Sequence, residues 1–297
     1  MSPVKRRKME ANEKTAIFMA ILAAALYSLN SPVSKLLLSK IPPTMMAGLL
    51  YFGAGTGLFI VRSVQKLAGR KTKEQKLTKK DLPYTIAMVV LDIAAPICLM
   101  IGLTMTTAAN ASLLNNFEIV ATSLIAAFIF KEKISKRLWV AIALVTLASI
   151  ILSIEDAGSF KFSFGSLFVL LACVCWGFEN NCTRKISDKD PLQIVIIKGF
   201  GSGIGSLVIA FAIGEHLPGI WYILGALVLG FVAYGLSISF YIYAQRYLGA
   251  AKTSAYYAVA PFIGAAISLI IFREMPKISF WIALVIMAVG TYLASTE

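Results

Sequence analysis

Ten apolar stretches, each about as long as a bilayer core is thick, run through this chain and leave little outside them. They lie near residues 15–38, 43–61, 83–104, 107–130, 137–155, 163–184, 191–213, 219–245, 249–272 and 280–296. About twenty mostly apolar residues are what a helix needs to cross the hydrocarbon. Hydrophobic residues make up 58% of the chain and charged residues 14%, a balance that excludes a soluble globular class. In lipid a helix satisfies its own backbone polar groups, so the expected fold class is an all-α polytopic membrane protein.

The chain also repeats itself. FKEKISKRLW at 130–139 aligns without a gap on FREMPKISFW at 272–281, pairing Phe130 with Phe272, Glu132 with Glu274 and Trp139 with Trp281. The same shift of 142 carries AANAS at 108–112 onto AAKTS at 250–254. Near the start of each copy the shift is 149, because the connector Arg62–Leu82 is seven residues longer than its counterpart. The expected organisation is a basic segment 1–14, a five-helix repeat 15–155 and a second five-helix repeat 163–297. Five is odd, so the second copy enters the membrane in the opposite sense. The prediction is ten transmembrane helices as two inverted repeats, with any binding site where the copies meet.

Basic residues support that topology. With the N-terminus on the cytoplasmic side, 22 Lys and Arg fall on inner segments and 5 on outer ones, with Lys198 inside a span. This is the bias of a cell-membrane protein with both termini cytoplasmic. The net charge of +13 is divided among short loops on one side. It reports orientation and contact with anionic lipid rather than nucleic-acid binding. The first fourteen residues resemble the start of a cleavable signal, but the apolar run continues to Leu38 and has a counterpart in the second copy, so it is read as the first span. The connector Arg62–Leu82 reads as a solvated cytoplasmic loop.

Chemistry-bearing motifs are sparse. Cys98, Cys173, Cys175 and Cys182 all lie within spans, and His216 is the one histidine. No disulfide framework, metal site or cofactor is implied. H-E-x-x-H, G-x-S-x-G and the Walker A sequence are absent, so neither those hydrolases nor direct ATP drive is indicated.

The informative residues are polar ones inside spans. A carboxylate at mid-span costs roughly 2.5–3.5 kcal/mol on insertion scales, so Asp92, Glu118 and Glu179 should face a cavity or a partner. Glu118 shares a helical stripe with Ala111, Asn115 and Thr122, which lines a cavity or makes a buried structural bond. Asp92 precedes Pro96 by four residues, where a proline frees a carbonyl. Pro32 and Pro261 repeat the device and mark candidate helix breaks. Trp176, Glu179 and Thr183 fall on one face beside Asn180, a geometry suited to an organic cation. The alternative is a glutamate paired to Lys198 or Arg184. The matching positions in the first span are Tyr27 and Asn30. Lys198 needs an acidic partner, either Glu179 or Asp92, or else the carboxylate of a substrate; the two choices predict opposite substrates. Tyr234 is the deepest of the eighth-span tyrosines and a candidate for lining. Lys35 and Arg184 are equivalent positions on opposite faces, acting as anchors or gate contacts.

With ASLLNNFEIVAT at 111–122, FKEKIS at 130–135 and WGFENN at 176–181, the chain resembles the drug/metabolite transporter superfamily, EamA type, over nearly its whole length. The resemblance implies a central cavity lined by spans one to four and six to nine, with spans five and ten peripheral, and alternating access. Two departures stand out: Glu118 precedes Ile119 where that family often has Glu-Pro, and the last cavity helices close on Lys131-Glu132 and Arg273-Glu274 instead of Gly-Glu. The expected function is a secondary transporter or exporter of a small polar metabolite such as an amino acid or amine, coupled to protons through Glu118, Asp92 or Glu179. The competing readings are a channel or non-transporting scaffold and a lipid-modifying membrane enzyme. Substrate, direction and oligomeric state are not specified.

Overall fold

The computed structural model describes residues 3–69, 74–131, 133–156, 161–187, 189–248, 253 and 256–296. Glu132, most of the 250–254 half of the repeat, and Arg70, Lys71, Lys73 and Lys252 of the basic loops lie outside the described residues. The elements are α1 (Pro3–Ser28), α2 (Asn30–Leu37), α3 (Pro43–Leu67), α4 (Leu82–Met105), α5 (Ala108–Leu114), α6 (Phe117–Phe128) and α7 (Lys136–Ser153). They continue with α8 (Phe164–Lys185), α9 (Pro191–Ala212), α10 (Ile220–Gly230), α11 (Ser237–Leu248), α12 (Ala260–Phe272) and α13 (Ile278–Ser295).

Local chemistry sets several starts. Thr107, Ser135, Ser163 and Asp190 each accept an amide of the first helical turn with the side chain, and Pro43 and Pro191 occupy a first turn that needs no amide donor. Among the described residues, nine helical stretches are long and apolar enough to span, and α12 is a shorter apolar helix. Large apolar side chains such as Trp221 and Ile270, 81% and 75% exposed, cover the outside, as a lipid-facing surface requires. Among the described residues, a short antiparallel pair, β1 (Ile154–Asp156) with β2 (Lys161–Phe162), stands between the two halves.

The relation between the halves is read from contacts between equivalent helices. α3 and α9 are the second spans of the two copies and form the most extensive helix pair. Gly48 meets Leu207, Phe52 meets Gly203 and Gly55 meets Gly199, so one helix ascends as the other descends. α7 and α13, the fifth spans, pack through Gly290 against Leu144 and Val145. Equivalent helices that pair antiparallel are related by an axis in the membrane plane; an axis along the normal would make them parallel. The repeat is inverted.

The α3/α9 pair is built for close approach. A Cβ on Gly199 would sit 2.4 Å from Gly55 Cα, and one on Gly203 would sit 2.6 Å from the Phe52 amide nitrogen. Small residues four apart let backbones meet where lipid offers no hydrophobic drive for association. Both ends of the pair are fastened. Glu215, just after α9, accepts the first amides of α3, Thr44 N–H at 3.2 Å and Met45 N–H at 2.6 Å. At the other end Arg62 pairs with Asp190 at 2.8 Å. The connector after α3 is docked there too: the Asp190 amide donates to the Gln75 carbonyl at 2.7 Å, and the Leu77 amide to Gln193 Oε1 at 3.1 Å. It is therefore more than the solvated loop its composition predicts.

Among the described residues, three spans are interrupted near mid-depth. Span one breaks at Leu29, between α1 and α2, with Pro32 in the new first turn. Span nine turns at Ala258–Val259, just before Pro261. Span four, expected to be continuous, turns at Asn115–Asn116 between α5 and α6. It has no proline there; two adjacent asparagines, poor helix formers that bond their own backbone, take its place. Pro96 was expected to interrupt span three, but α4 runs through it unbroken. Its missing bond is lost inside a helix packed on α8 and α9.

Candidate functional site

Asp92 lies midway along α4, Glu179 on α8 and Lys198 on α9, and the packing of those helices brings all three together. Lys198 Nζ stands 2.9 Å from Glu179 Oε1 and 3.2 Å from Asp92 Oδ2. Asp92 is 0% exposed and Glu179 1%, so water does little to screen the pairing. Asp92 belongs to the first copy and the other two residues to the second, so this bridge spans the boundary between the halves. Tyr51 on α3 donates its hydroxyl to Asp92 Oδ1 at 2.9 Å, and the Trp176 indole N–H points at that hydroxyl at 3.4 Å. Thr183 donates to Glu179.

Trp176 and Glu179 therefore do not form the open cation seat their helical spacing suggests. The indole is turned toward Tyr51, and the carboxylate is held by Lys198. Asn180 points to a different neighbour: its amide donates to Glu118 Oε1 at 2.7 Å and approaches Thr122 Oγ1 at 3.3 Å. Asn115, three residues before Glu118, stands at the helix break with its Oδ1 buried and unpartnered.

Across the molecule, the Asn30 amide donates to the Tyr234 hydroxyl at 2.9 Å, and Ser34 donates to Asn30 Oδ1 at 3.2 Å. Asn30 is the repeat equivalent of Glu179, 149 positions earlier, and Tyr234 that of Asp92, 142 positions later. The two inter-half bridges are thus mates under the pseudo-two-fold. One is neutral and direct; the other is anionic on both sides and closed by an inserted lysine. Tyr234 sits in a π-helical segment, Phe231–Leu236, which offsets the helix by one residue where the bridge is made.

Tyr51 was not singled out from sequence. The usable signal was a lone tyrosine amid the glycines of span two, in a stretch of small and aliphatic residues. Tyr51→Phe keeps the ring and removes the donor to a buried carboxylate. The expected cost is about 1–3 kcal/mol, read as lowered thermal stability of the detergent-solubilised protein; an unchanged melting point would show that the bond carries no weight. Lys35, at the end of α2, donates to the carbonyls of Leu103 and of Thr106, the latter at 2.8 Å. It ties spans one and three together at the face opposite the basic loops.

An inverted ten-helix bundle closed around buried, cross-half charge is the architecture of a membrane transporter. The chain belongs to the EamA-like transporter family, whose profile matches residues 14–154 and 163–296. An uncharacterized transporter of Methanothermobacter thermautotrophicus is 27% identical, over 92% of this chain and 84% of the relative. One from Clostridium kluyveri is 24% identical over 94% and 93%. A solved crystal structure shares the fold with a TM-score of 0.65 at 16% identity, over 94% of this chain and 95% of the other. The protein is a multi-pass membrane protein of a transporter family, which implies a small-molecule substrate and a lipid environment.

Proposed function

We propose that this chain is a secondary active transporter. It moves a small polar metabolite, an amino acid, amine or related compound, across the cell membrane by alternating access, with both termini cytoplasmic and protons as the coupling ion. The observation that carries the reading is Lys198, held between Asp92 of one half and Glu179 of the other. A change of access that moves α4 or α8 relative to α9 breaks and remakes that bridge. Adding a proton to either carboxylate removes one of the two charges that hold the lysine and weakens the bridge. Protonation and reorientation are linked in this way, and a solute that binds one arrangement better than the other shifts the balance.

The test is transport by purified protein in proteoliposomes, with a panel of amino acids, amines and sugars and a pH-sensitive dye inside. Glu179→Gln is expected to abolish substrate-driven proton movement. Unchanged flux and coupling would remove Glu179 from that role, and single-channel currents would move the whole reading to a channel.

A further inference from the structure

Where α3 passes α10, the outer surface folds into a groove of about 260 Å³. One side is the α3 stripe Gly53, Gly57, Ile60 and Val61, and the other is Val228 and Phe231. The stripe occupies one helical face and extends about 12 Å along the axis. Gly53 and Gly57 have no room for a side chain, because the Leu227 backbone and the Phe231 ring stand there. The walls are apolar: Thr56 is the one polar side chain among them, and its hydroxyl oxygen is buried without a partner. Ile60 and Val228, 57% and 62% exposed, open the groove toward lipid.

The pseudo-two-fold supplies a comparison. The mate of this seam is the one where α9 passes α4, and it is sealed. Val89 and Ile93 lie over Gly201 and Gly205, and Ser202 donates its hydroxyl to the Val89 carbonyl at 3.2 Å. One seam is thus filled by the protein's own side chains, and the other is left to be filled from the bilayer, since a hollow without atoms forgoes dispersion contacts. Water would find no polar partners in it. A second helix, about 10–12 Å across, is too wide to enter. A single hydrocarbon chain fits. The stripe also descends α3 toward the basic face, where 22 Lys and Arg stand against 5 on the opposite face. Arg62 there is held by Asp190, while Lys66, five residues beyond Val61, is exposed and suits a lipid phosphate.

We infer that this groove is a binding site for an anionic phospholipid of the leaflet on the basic face, with one acyl chain along Gly53–Val61 and the phosphate at Lys66. The chain bears on Phe231, the first residue of the π-helical segment that carries Tyr234, and so supports the wall behind the Asn30–Tyr234 bond. The experiment is native mass spectrometry of the purified full chain with phosphatidylglycerol or phosphatidylcholine of the same acyl chains. Phosphatidylglycerol is expected to stay bound one to one, several-fold better than phosphatidylcholine. Val228→Trp, which fills the groove from its open side, should weaken that binding about tenfold, and Lys66→Gln should remove the preference between headgroups. In the unmodified protein, phosphatidylglycerol carrying a diazirine in its acyl chain should label the peptides holding residues 53–61 and 227–231 on irradiation, and unlabelled phosphatidylglycerol should compete. That readout stands even if a variant fails to fold. Labelling spread over the whole apolar exterior, equal competition by phosphatidylcholine, unchanged binding in Val228→Trp, or a second copy of the chain cross-linked at these residues would each overturn the inference.

Discussion

Lys198→Met is expected to abolish transport and to destabilise the protein by about 3–5 kcal/mol, the cost of leaving buried charge without its partner. The substitution leaves Asp92 and Glu179, 0% and 1% exposed, as two like charges with no ammonium between them. The carboxylates must then take up a proton or pull water into the bundle. Thermal unfolding in detergent should show the loss as a melting point lower by on the order of 10 °C. The triple variant Lys198→Met, Asp92→Asn, Glu179→Gln removes all three charges together. It should recover most of the stability, because replacing a whole buried ion cluster by neutral groups of similar volume is close to neutral. It should not recover proton coupling. A single variant as stable as the parent would mean that the lysine does not neutralise these acids, and a triple variant that still couples would place the proton elsewhere.

Gly199→Val is expected to prevent assembly of a folded bundle. The first added carbon would lie 2.4 Å from Gly55 Cα and 2.9 Å from the Tyr51 carbonyl oxygen, and backbone cannot step aside as a flexible side chain can. Separating α3 from α9 would undo the Arg62–Asp190 and Glu215 fastenings at the two ends, and would shift Tyr51 and Lys198, which lie on this pair. The loss should exceed about 4 kcal/mol, the range reserved for disrupted cores, and appear as aggregation on size-exclusion chromatography. Gly225→Ala is the control, since its Cβ would meet only Leu37 Cδ2 at 3.7 Å. A monodisperse Gly199→Val protein with normal transport would show that the contact is looser than drawn.

Much of the site was legible because burial of charge in a membrane is costly. Asp92, Glu179 and Lys198 each announced that they needed a partner, and the choice left open for Lys198, between acid and substrate, is closed in this structure by two acids at once. Asn30 and Tyr234 were legible as mid-span polar groups, but their bond was not, because it joins positions 204 residues apart. The Trp176–Glu179 pairing misled for a definite reason: helical spacing tells which residues share a face, not whether a lysine from another helix already occupies it. At Pro96 the helix α4 continues without a break, since one missing hydrogen bond need not end a helix that its neighbours pack against. The break at Asn115–Asn116 was hidden because proline was the signal sought.

What the sequence determined by itself is the number of spans, their duplication and their inversion. These follow from helix length against bilayer thickness, from a repeated pattern and from the parity of five, none of which depends on how side chains meet. Tertiary structure alone decided which acids Lys198 meets and that the charged bridge has a neutral mate across the pseudo-two-fold. Those outcomes turn on separations of about 3 Å between residues on different helices, where one turn's displacement exchanges a salt bridge for an unpaired charge.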